Sequence, residues 1–445
     1  MLGDMASRPG RRRPAAAPLG APFRRLWAAS TVSNLADGVL KVALPLVAVR
    51  YTDSPALVAG LTFALTLPWL LFALPAGALA DRLDRRLAMV GANVARAVLV
   101  VALAAVALVP DAGSIAVLYF VAFAVGVTET LYDTSAQSIL PQVVPRTALP
   151  RANGRLYAAE LTANQFVGPP LGGLLVAAGA AVAFGVPGAL WALAVVLLLG
   201  LPGTYRTVRT TRTTLRADVA EGLRFLWHDR ILRTLAMMVG GINFASNAAF
   251  AVFVLYAVGP DSPLGLSEPA YGVLLTATAV GAFAGSFVAE RVVGTIGRAR
   301  SLALTILGTV ALVGVPAVTT NAWVIGAVSA VGGAGIAVWN VVTLSLRQRI
   351  TPDALLGRLN SCYRLLAWGT LPLGAAVGGL LGELFGLRTV FVVMAAVSGA
   401  TLLGMLVVDD RAMGAAEVAA DARDTDARLA DAARPGAEAE PQPES

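Results

Sequence analysis

The sequence holds a single cysteine, Cys362, which excludes any disulfide within the chain. It also holds a single histidine, His228, set in a charged stretch with no second histidine or cysteine beside it, which excludes a zinc site. Charge is scarce: 14% of residues are charged, where a soluble domain carries about 25%. No Walker A sequence occurs, so an ATP-driven pump would need a partner to bring the ATPase. No nucleophile–base or metal constellation can be assembled from histidine or cysteine in the apolar runs, which argues against an intramembrane enzyme. No residue set calls for a cofactor. The pI near 10.0 raises the question of nucleic acid. The arginines, however, are dispersed among apolar segments, which fits membrane topology and not a DNA-binding face.

What is present is apolar: 57% hydrophobic residues and a mean hydropathy of +0.73. Hydrocarbon offers no partner to a charge or to an unpaired backbone group, so long uncharged runs read as helices in lipid. A spanning helix needs about 20 such residues. Breaks at charged or Pro/Gly-rich positions leave twelve segments, near 26–49, 57–79, 87–109, 115–137, 156–178, 181–201, 232–257, 270–289, 301–319, 323–345, 361–382 and 389–408. Only Gly179 and Ala180 separate the fifth from the sixth. The basic N-terminus resembles a signal peptide's start, but the run after it is long and holds Asp37 and Lys41, so it reads as an uncleaved first span.

Lys and Arg placement gives an orientation. With the N-terminus inside, the inner segments hold 25 of the 34 basic residues, and the outer ones hold Arg50 and Arg388 alone. Both termini are therefore expected in the cytoplasm. The expected organisation is a disordered N-terminus over 1–22, a six-helix bundle over 23–202, a linker over 203–231, a second bundle over 232–408 and a disordered tail over 409–445. In the linker, Leu223, Leu226, Trp227 and Ile231 recur at helical spacing, which predicts an amphipathic helix on the membrane surface. The Ala-, Asp- and Arg-rich tail ends PGAEAEPQPES, the composition of a disordered segment.

The halves echo each other at an offset of 207–209 residues. Asn34 corresponds to Asn243, and Ala80-Asp81-Arg82 to Ala289-Glu290-Arg291. Pro145, Leu149, Arg151 and Asn153 correspond to Pro352, Leu356, Arg358 and Asn360, and Gly172 to Gly379. Six spans per half start both halves on the same side, so the repeat is parallel, and two such halves enclose a site near the midplane.

Two motifs carry a family resemblance. GALADRLDRR contains Gly77, Asp81, Arg82, Arg85 and Arg86 and is close to the signature G-x-x-x-D-R-x-G-R-R, with Asp84 at the second glycine. GPPLGG, with Gly168, Pro169, Gly172 and Gly173, matches the core of an antiporter motif whose upstream glycine is Asn164 here. Over roughly 23–408 the chain resembles the major facilitator superfamily, and ETLYDTSAQSILPQVVP with RANG and GPPLGG resembles its branch of enterobactin and macrolide exporters. The resemblance implies an all-α inner-membrane protein of twelve spans that binds a small molecule and acts as a monomer. The arginine that proton-driven exporters often carry in the fourth span is absent.

A charge at the bilayer centre costs about 2.5–3.5 kcal/mol on insertion scales, so the acids in the spans need a reason. Asp37 is a candidate for coupling to protons, or else it forms a self-neutralising pair with Lys41 one turn on. Glu129, Asp133 and Gln137 make a stripe on the fourth span. Glu129 is the deeper acid and the better proton carrier, whereas Asp133 either joins it or, by the family likeness, locks to Arg85 or Arg86. Arg96 is the expected counter-ion of these acids. The second half has no such acids, and its Asn243, Asn247, Asn340, Arg364 and Trp368, with Asn34 of the first, are expected to line the substrate cavity. Together these readings predict export of a small amphipathic molecule by proton exchange. The alternatives are an importer of the same fold or a non-transporting receptor.

Overall fold

The computed structural model describes residues 19–109, 113–206, 215–259 and 261–432. The side chains of 74, 77, 78, 80, 81, 215–219, 353, 354, 357, 424 and 426–432 lie outside the description. In chain order the helices are α1 (Gly20–Ala48), α2 (Pro55–Arg82), α3 (Arg85–Val106), α4 (Ile115–Val143), α5 (Leu149–Glu160), α6 (Gly168–Ala178) and α7 (Ala180–Leu199). They continue as α8 (Leu215–His228), α9 (Arg230–Ala257), α10 (Glu268–Ile296), α11 (Arg298–Gly314), α12 (Ala322–Ile350), α13 (Asp353–Phe385), α14 (Leu387–Ala400) and α15 (Asp410–Ala432). Among the described residues, eleven helices are long and apolar enough to cross a membrane. The fifth expected span differs: it is α5 and α6 joined by a π-helical stretch, Leu161–Val167. The chain is a multi-pass, all-helical membrane protein.

Polar loop residues start several of these helices by accepting from the first free backbone amides. Ser54 caps α2, Ser114 caps α4, Asp229 caps α9, Ser267 caps α10 and Asn321 caps α12. Gly179, at φ +130°, makes the reversal between α6 and α7 that the sequence left to two residues. Along the spans the outward positions stay apolar and exposed, as with Phe120, Phe287 and Trp323. In water such a surface would be a liability, whereas in lipid it is the solvated face.

Packing sorts the spans into two groups. The first pairs α2 with α4, α3 with α7 and α1 with α6 and α7, and the second pairs α10 with α12, α9 with α13 and α11 with α12 and α14. Between the groups, α2 packs on α13 and α6 on α10. Because successive spans alternate in direction, the basic loops gather at one end of the molecule, called here the arginine-rich end.

Three features depart from the sequence expectations. First, α1 begins at Gly20, within the segment expected to be disordered, because Phe23 and Leu26 (each 1% exposed) are buried with Met89, Tyr132 and Leu198; residues 1–18 lie outside the description. Second, the linker helix α8 packs against protein: Leu226 is fully buried and Gly222 abuts the backbone of Arg358, while Leu223 and Trp227 remain exposed. Third, residues 410–432 of the expected disordered tail form α15. Met413 is fully buried in the cluster of α9, α11 and α12, and Glu417 pairs with Arg298 and Arg349 at the arginine-rich end, which gives this polar helix the partners its composition alone lacks. Residues beyond 432 lie outside the description.

Candidate functional site

Four charged side chains meet in the first group of spans, contributed by α1, α3 and α4. Arg96 Nη1 donates to Asp37 Oδ1 at 3.2 Å, with the arginine side chain 0% exposed and the aspartate 7%. The guanidinium also donates from Nε to Thr128 Oγ1 at 3.3 Å and lies 5.0 Å from the ring centre of Tyr132 and 5.6 Å from that of Trp191. Those two rings are themselves buried. Arg96 thus ties together α1, α3, α4 and α7 through Asp37, Thr128, Tyr132 and Trp191.

The second pair joins α1 to α4: Lys41 Nζ is 3.2 Å from Glu129 Oε1. Its lysine side chain is 38% exposed and its glutamate 11%, so this pair, unlike the first, has an open side. The expected Asp37–Lys41 pair is not formed. Both residues lie on α1, but neighbouring helices offer each a different partner. Asp133, one turn beyond Glu129, makes no ion pair among the described residues. Its charged neighbours are Glu129, Arg96, Asp37, Lys41, Arg364 and Glu160, the last without a signal in the sequence reading.

The lock between Asp133 and the loop after α2 is not formed with Arg86, whose Nη1 donates to the Leu201 carbonyl at 2.5 Å. Arg85 is buried beside the linker, its backbone amide bonded to the Tyr205 carbonyl at 3.2 Å. Asp84, the departure from the signature, has a clear use. Its Oδ1 caps α3 by accepting from the amides of Arg86 and Leu87, and its Oδ2 accepts from the Tyr205 amide at 2.9 Å. A glycine there could do neither. Arg82 is exposed, and the side-chain positions of Gly77 and Asp81 lie outside the description.

GPPLGG forms contacts on two sides. Gly168 lies against Gly38 of α1, and a Cβ on Gly172 would come within 2.9 Å of the Val39 carbonyl. Toward the other group, a Cβ on Gly173 would overlap the Glu268 carbonyl and one on Gly272 would overlap that of Pro169, so α6 and α10 touch backbone to backbone. Proline at 169 and 170 lacks the amide donors an α-helix would use, and the ladder loosens into the π stretch just before them. Asn164, where the motif's upstream glycine is replaced, keeps close approach by giving its backbone, not its side chain, to Gly38.

The same end is tied by side chains. Arg50 Nη2 donates to Glu268 Oε1 at 3.2 Å and to the Val176 carbonyl at 3.1 Å, and Ser54 Oγ donates to Glu383 Oε2 at 2.6 Å. Deeper in, Arg364 Nη1 donates to Gln137 Oε1 at 2.7 Å, and Trp368 meets Trp69 edge to face at 4.9 Å. Gln137 and Trp69 were not singled out from sequence as cavity residues; the i+8 stripe carried the signal for Gln137, and nothing did for Trp69.

The remaining expected cavity residues scatter. Asn34 donates to the Ser30 carbonyl of its own helix at 2.8 Å. Asn243 and Asn247 donate to the carbonyls of Ala367 and Leu371 at 2.8 and 2.6 Å, and both line a cavity of ≈ 330 Å3 inside the second group. Arg364 and Trp368 line a separate cavity of ≈ 260 Å3 between α2, α4 and α13. Asn340 is exposed and lines neither.

Bundled apolar spans enclosing buried ion pairs, with two groups meeting over a glycine-proline motif, define a membrane transporter of the major facilitator type. Residues 14–433 match the family of transmembrane secretion effectors, and the chain belongs to it. It is 28% identical over 395 residues to the multidrug efflux pump Tap of Mycolicibacterium fortuitum, covering 84% of this chain and 92% of that one. It is likewise 28% identical over 365 residues to the enterobactin exporter EntS of Shigella boydii, covering 81% and 85%. Among solved structures it is similar in fold to the nucleoside transporter NupG, with a TM-score of 0.70, 12% identity, and 87% and 98% coverage. It is also similar to a bacterial homologue of the iron transporter ferroportin, with a TM-score of 0.68, 15% identity, and 86% and 98% coverage.

Proposed function

We propose that the chain exports a small amphipathic molecule, a drug-like compound or a siderophore, from the cytoplasm in exchange for protons. Export is supported by the relatives, a multidrug pump and a siderophore exporter, and by the GPPLGG contact. The arginine-rich end is assigned to the cytoplasm and the protein to the inner membrane, on the strength of 25 basic residues against two. The ties among Arg50, Glu268, Ser54 and Glu383 then close the outer face.

The observation that carries proton exchange is the Lys41–Glu129 pair: a carboxylate in the centre of α4 whose partner sits on α1 and whose surroundings are half open. A proton adding to a Glu129 carboxylate oxygen removes its charge. Lys41 keeps its own three protons and loses an ionic partner, so the tie between α1 and α4 weakens. Asp133, one turn nearer the arginine-rich end, is suited to pass the proton on. Asp37 is assigned the anchoring of Arg96, not the coupling.

Everted membrane vesicles test this. Uptake of a transported dye should collapse with a protonophore, and Glu129→Gln should abolish gradient-driven uptake while dye binding stays measurable. Gradient-driven uptake by Glu129→Gln at the parental rate would remove Glu129 from the mechanism.

A further inference from the structure

The two halves fill one and the same place differently. At the repeat offset, Asp37, Lys41 and Glu129 of the first half correspond to Ser246, Phe250 and Ile336 of the second. In the first half that place holds the two ion pairs. In the second, the three counterparts line the partly open cavity of ≈ 330 Å3 among α9 to α14. An apolar cavity of roughly 150 Å3 holds benzene, so this one has room for two fused rings.

Its lining says what it would accept. Phe250, Phe253 and Phe391 offer ring surfaces, and among the described residues no ionisable side chain lines it. A charged ligand would therefore lose its water and gain no counter-ion. The lining is nevertheless not oil. Ser246, Thr278 and Ser329 carry hydroxyls with no hydrogen bond among the described residues, and Ser329 is only 8% exposed. Asn243 and Asn247 each spend one amide N–H on an α13 carbonyl, and their amide oxygens, with no donor among the described residues, stay available as acceptors. A lipid acyl chain would strand all of these groups, at the cost of unpaired buried polar atoms.

We propose that this cavity binds an uncharged ring compound carrying at least one hydrogen-bond donor, or that portion of a larger cargo. Only the identification of the occupant as cargo rests on the export reading; the binding itself does not. The first half thus provides the charge that protons act on, and the second half the space.

The test uses the full chain in phosphatidylcholine nanodiscs, with binding measured by equilibrium dialysis. 2-Naphthol should saturate at one per chain, with naphthalene-2-sulfonate at least tenfold weaker. Ser329→Leu, which narrows the cavity and removes one of its hydroxyls, should cut 2-naphthol affinity at least tenfold. Should that variant fail to fold by gel filtration, Thr278→Val decides: it should weaken 2-naphthol a few-fold and leave naphthalene unchanged. Equal binding of the sulfonate, unchanged affinity in folded Ser329→Leu, or no differential effect of Thr278→Val would overturn the proposal. Displacement of 2-naphthol by equimolar oleic acid would also overturn it, giving the cavity to lipid. Loss of 2-naphthol binding with proton-driven efflux intact would sink this inference alone, whereas binding without any gradient-driven efflux would sink the export reading alone.

Discussion

Asp37→Asn separates anchoring from coupling. The substitution keeps the shape of the side chain and removes the charge that Arg96 faces at 3.2 Å. Arg96 cannot turn elsewhere, because its side chain is fully buried between Tyr132 and Trp191 and its Nη2 has no hydrogen-bond partner among the described residues. Removing one member of a buried ion pair costs about 3–5 kcal/mol, since the other charge is left uncompensated. The side-chain exposures of 0% and 7% leave little solvent to soften that penalty. At about 1.4 kcal/mol per factor of ten, the folding equilibrium constant should fall by roughly two to three and a half orders of magnitude. At ~2–4 °C per kcal/mol, that is a drop of roughly 10 °C in melting temperature, measurable by tryptophan fluorescence in detergent. Adding Arg96→Met removes the stranded charge while retaining much of the packing, and should recover at least half of the loss. A melting temperature unchanged in Asp37→Asn, or a double variant as unstable as the sum of the singles, would refute the anchoring role. An unchanged melting temperature with transport lost would move Asp37 into the coupling machinery.

Other substitutions probe the remaining parts. Gly173→Leu should overlap the Glu268 carbonyl and force α6 from α10, cutting efflux more than tenfold without lowering expression; unaltered efflux in vesicles would show that the close approach is dispensable. Asp84→Ala should cost about 0.5–2 kcal/mol through the lost cap of α3, and more if the Tyr205 tie counts separately, read as a lower melting temperature with transport retained. Glu417→Ala removes the shared partner of Arg298 and Arg349 and should expose α15 to limited proteolysis in the folded protein, leaving efflux unchanged. Cleavage no faster than in the parent would mean that apolar packing around Met413 holds the helix unaided.

The spans were legible because lipid imposes a simple rule on composition, and the charged members of the first-half site were legible because charge in such spans is conspicuous. Their pairing was not. Residues at i and i+4 on one helix suggested Asp37 with Lys41, but α3 and α4 approach α1 closely enough to offer Arg96 and Glu129, and that choice is made between helices remote in sequence. The break in the fifth span was foreshadowed by Pro169-Pro170, although nothing in the sequence specified that the stretch before them, packed against α1 and α10, is π-helical. The tail was misjudged from composition, yet Met413, Glu417, Ala420 and Asp421 recur at the spacing of one helix face, a pattern that was there to be read. The 330 Å3 cavity lay beyond reach of the sequence, because empty space leaves no residue to notice.

The asymmetry between halves has a physical logic. A carboxylate that responds to protons needs fixed surroundings, because its charge is stabilised only by partners held at a few ångströms, and a cargo squeezed among them would disturb every pair at once. A cargo site needs the reverse: room, ring surfaces and hydrogen-bond groups that tolerate several occupants. One six-span unit can hardly meet both demands in one place, whereas a doubled unit can give one copy of that place to each. Lys41 and Glu129 join α1 to α4 on one side, Asn243 and Asn247 tie α9 to α13 on the other, and α2 against α13 and α6 against α10 link the two. In the proposed exchange, a proton that loosens α1 from α4 would act on the second cavity only through the contacts of α2 with α13 and of α6 with α10, without having to enter it.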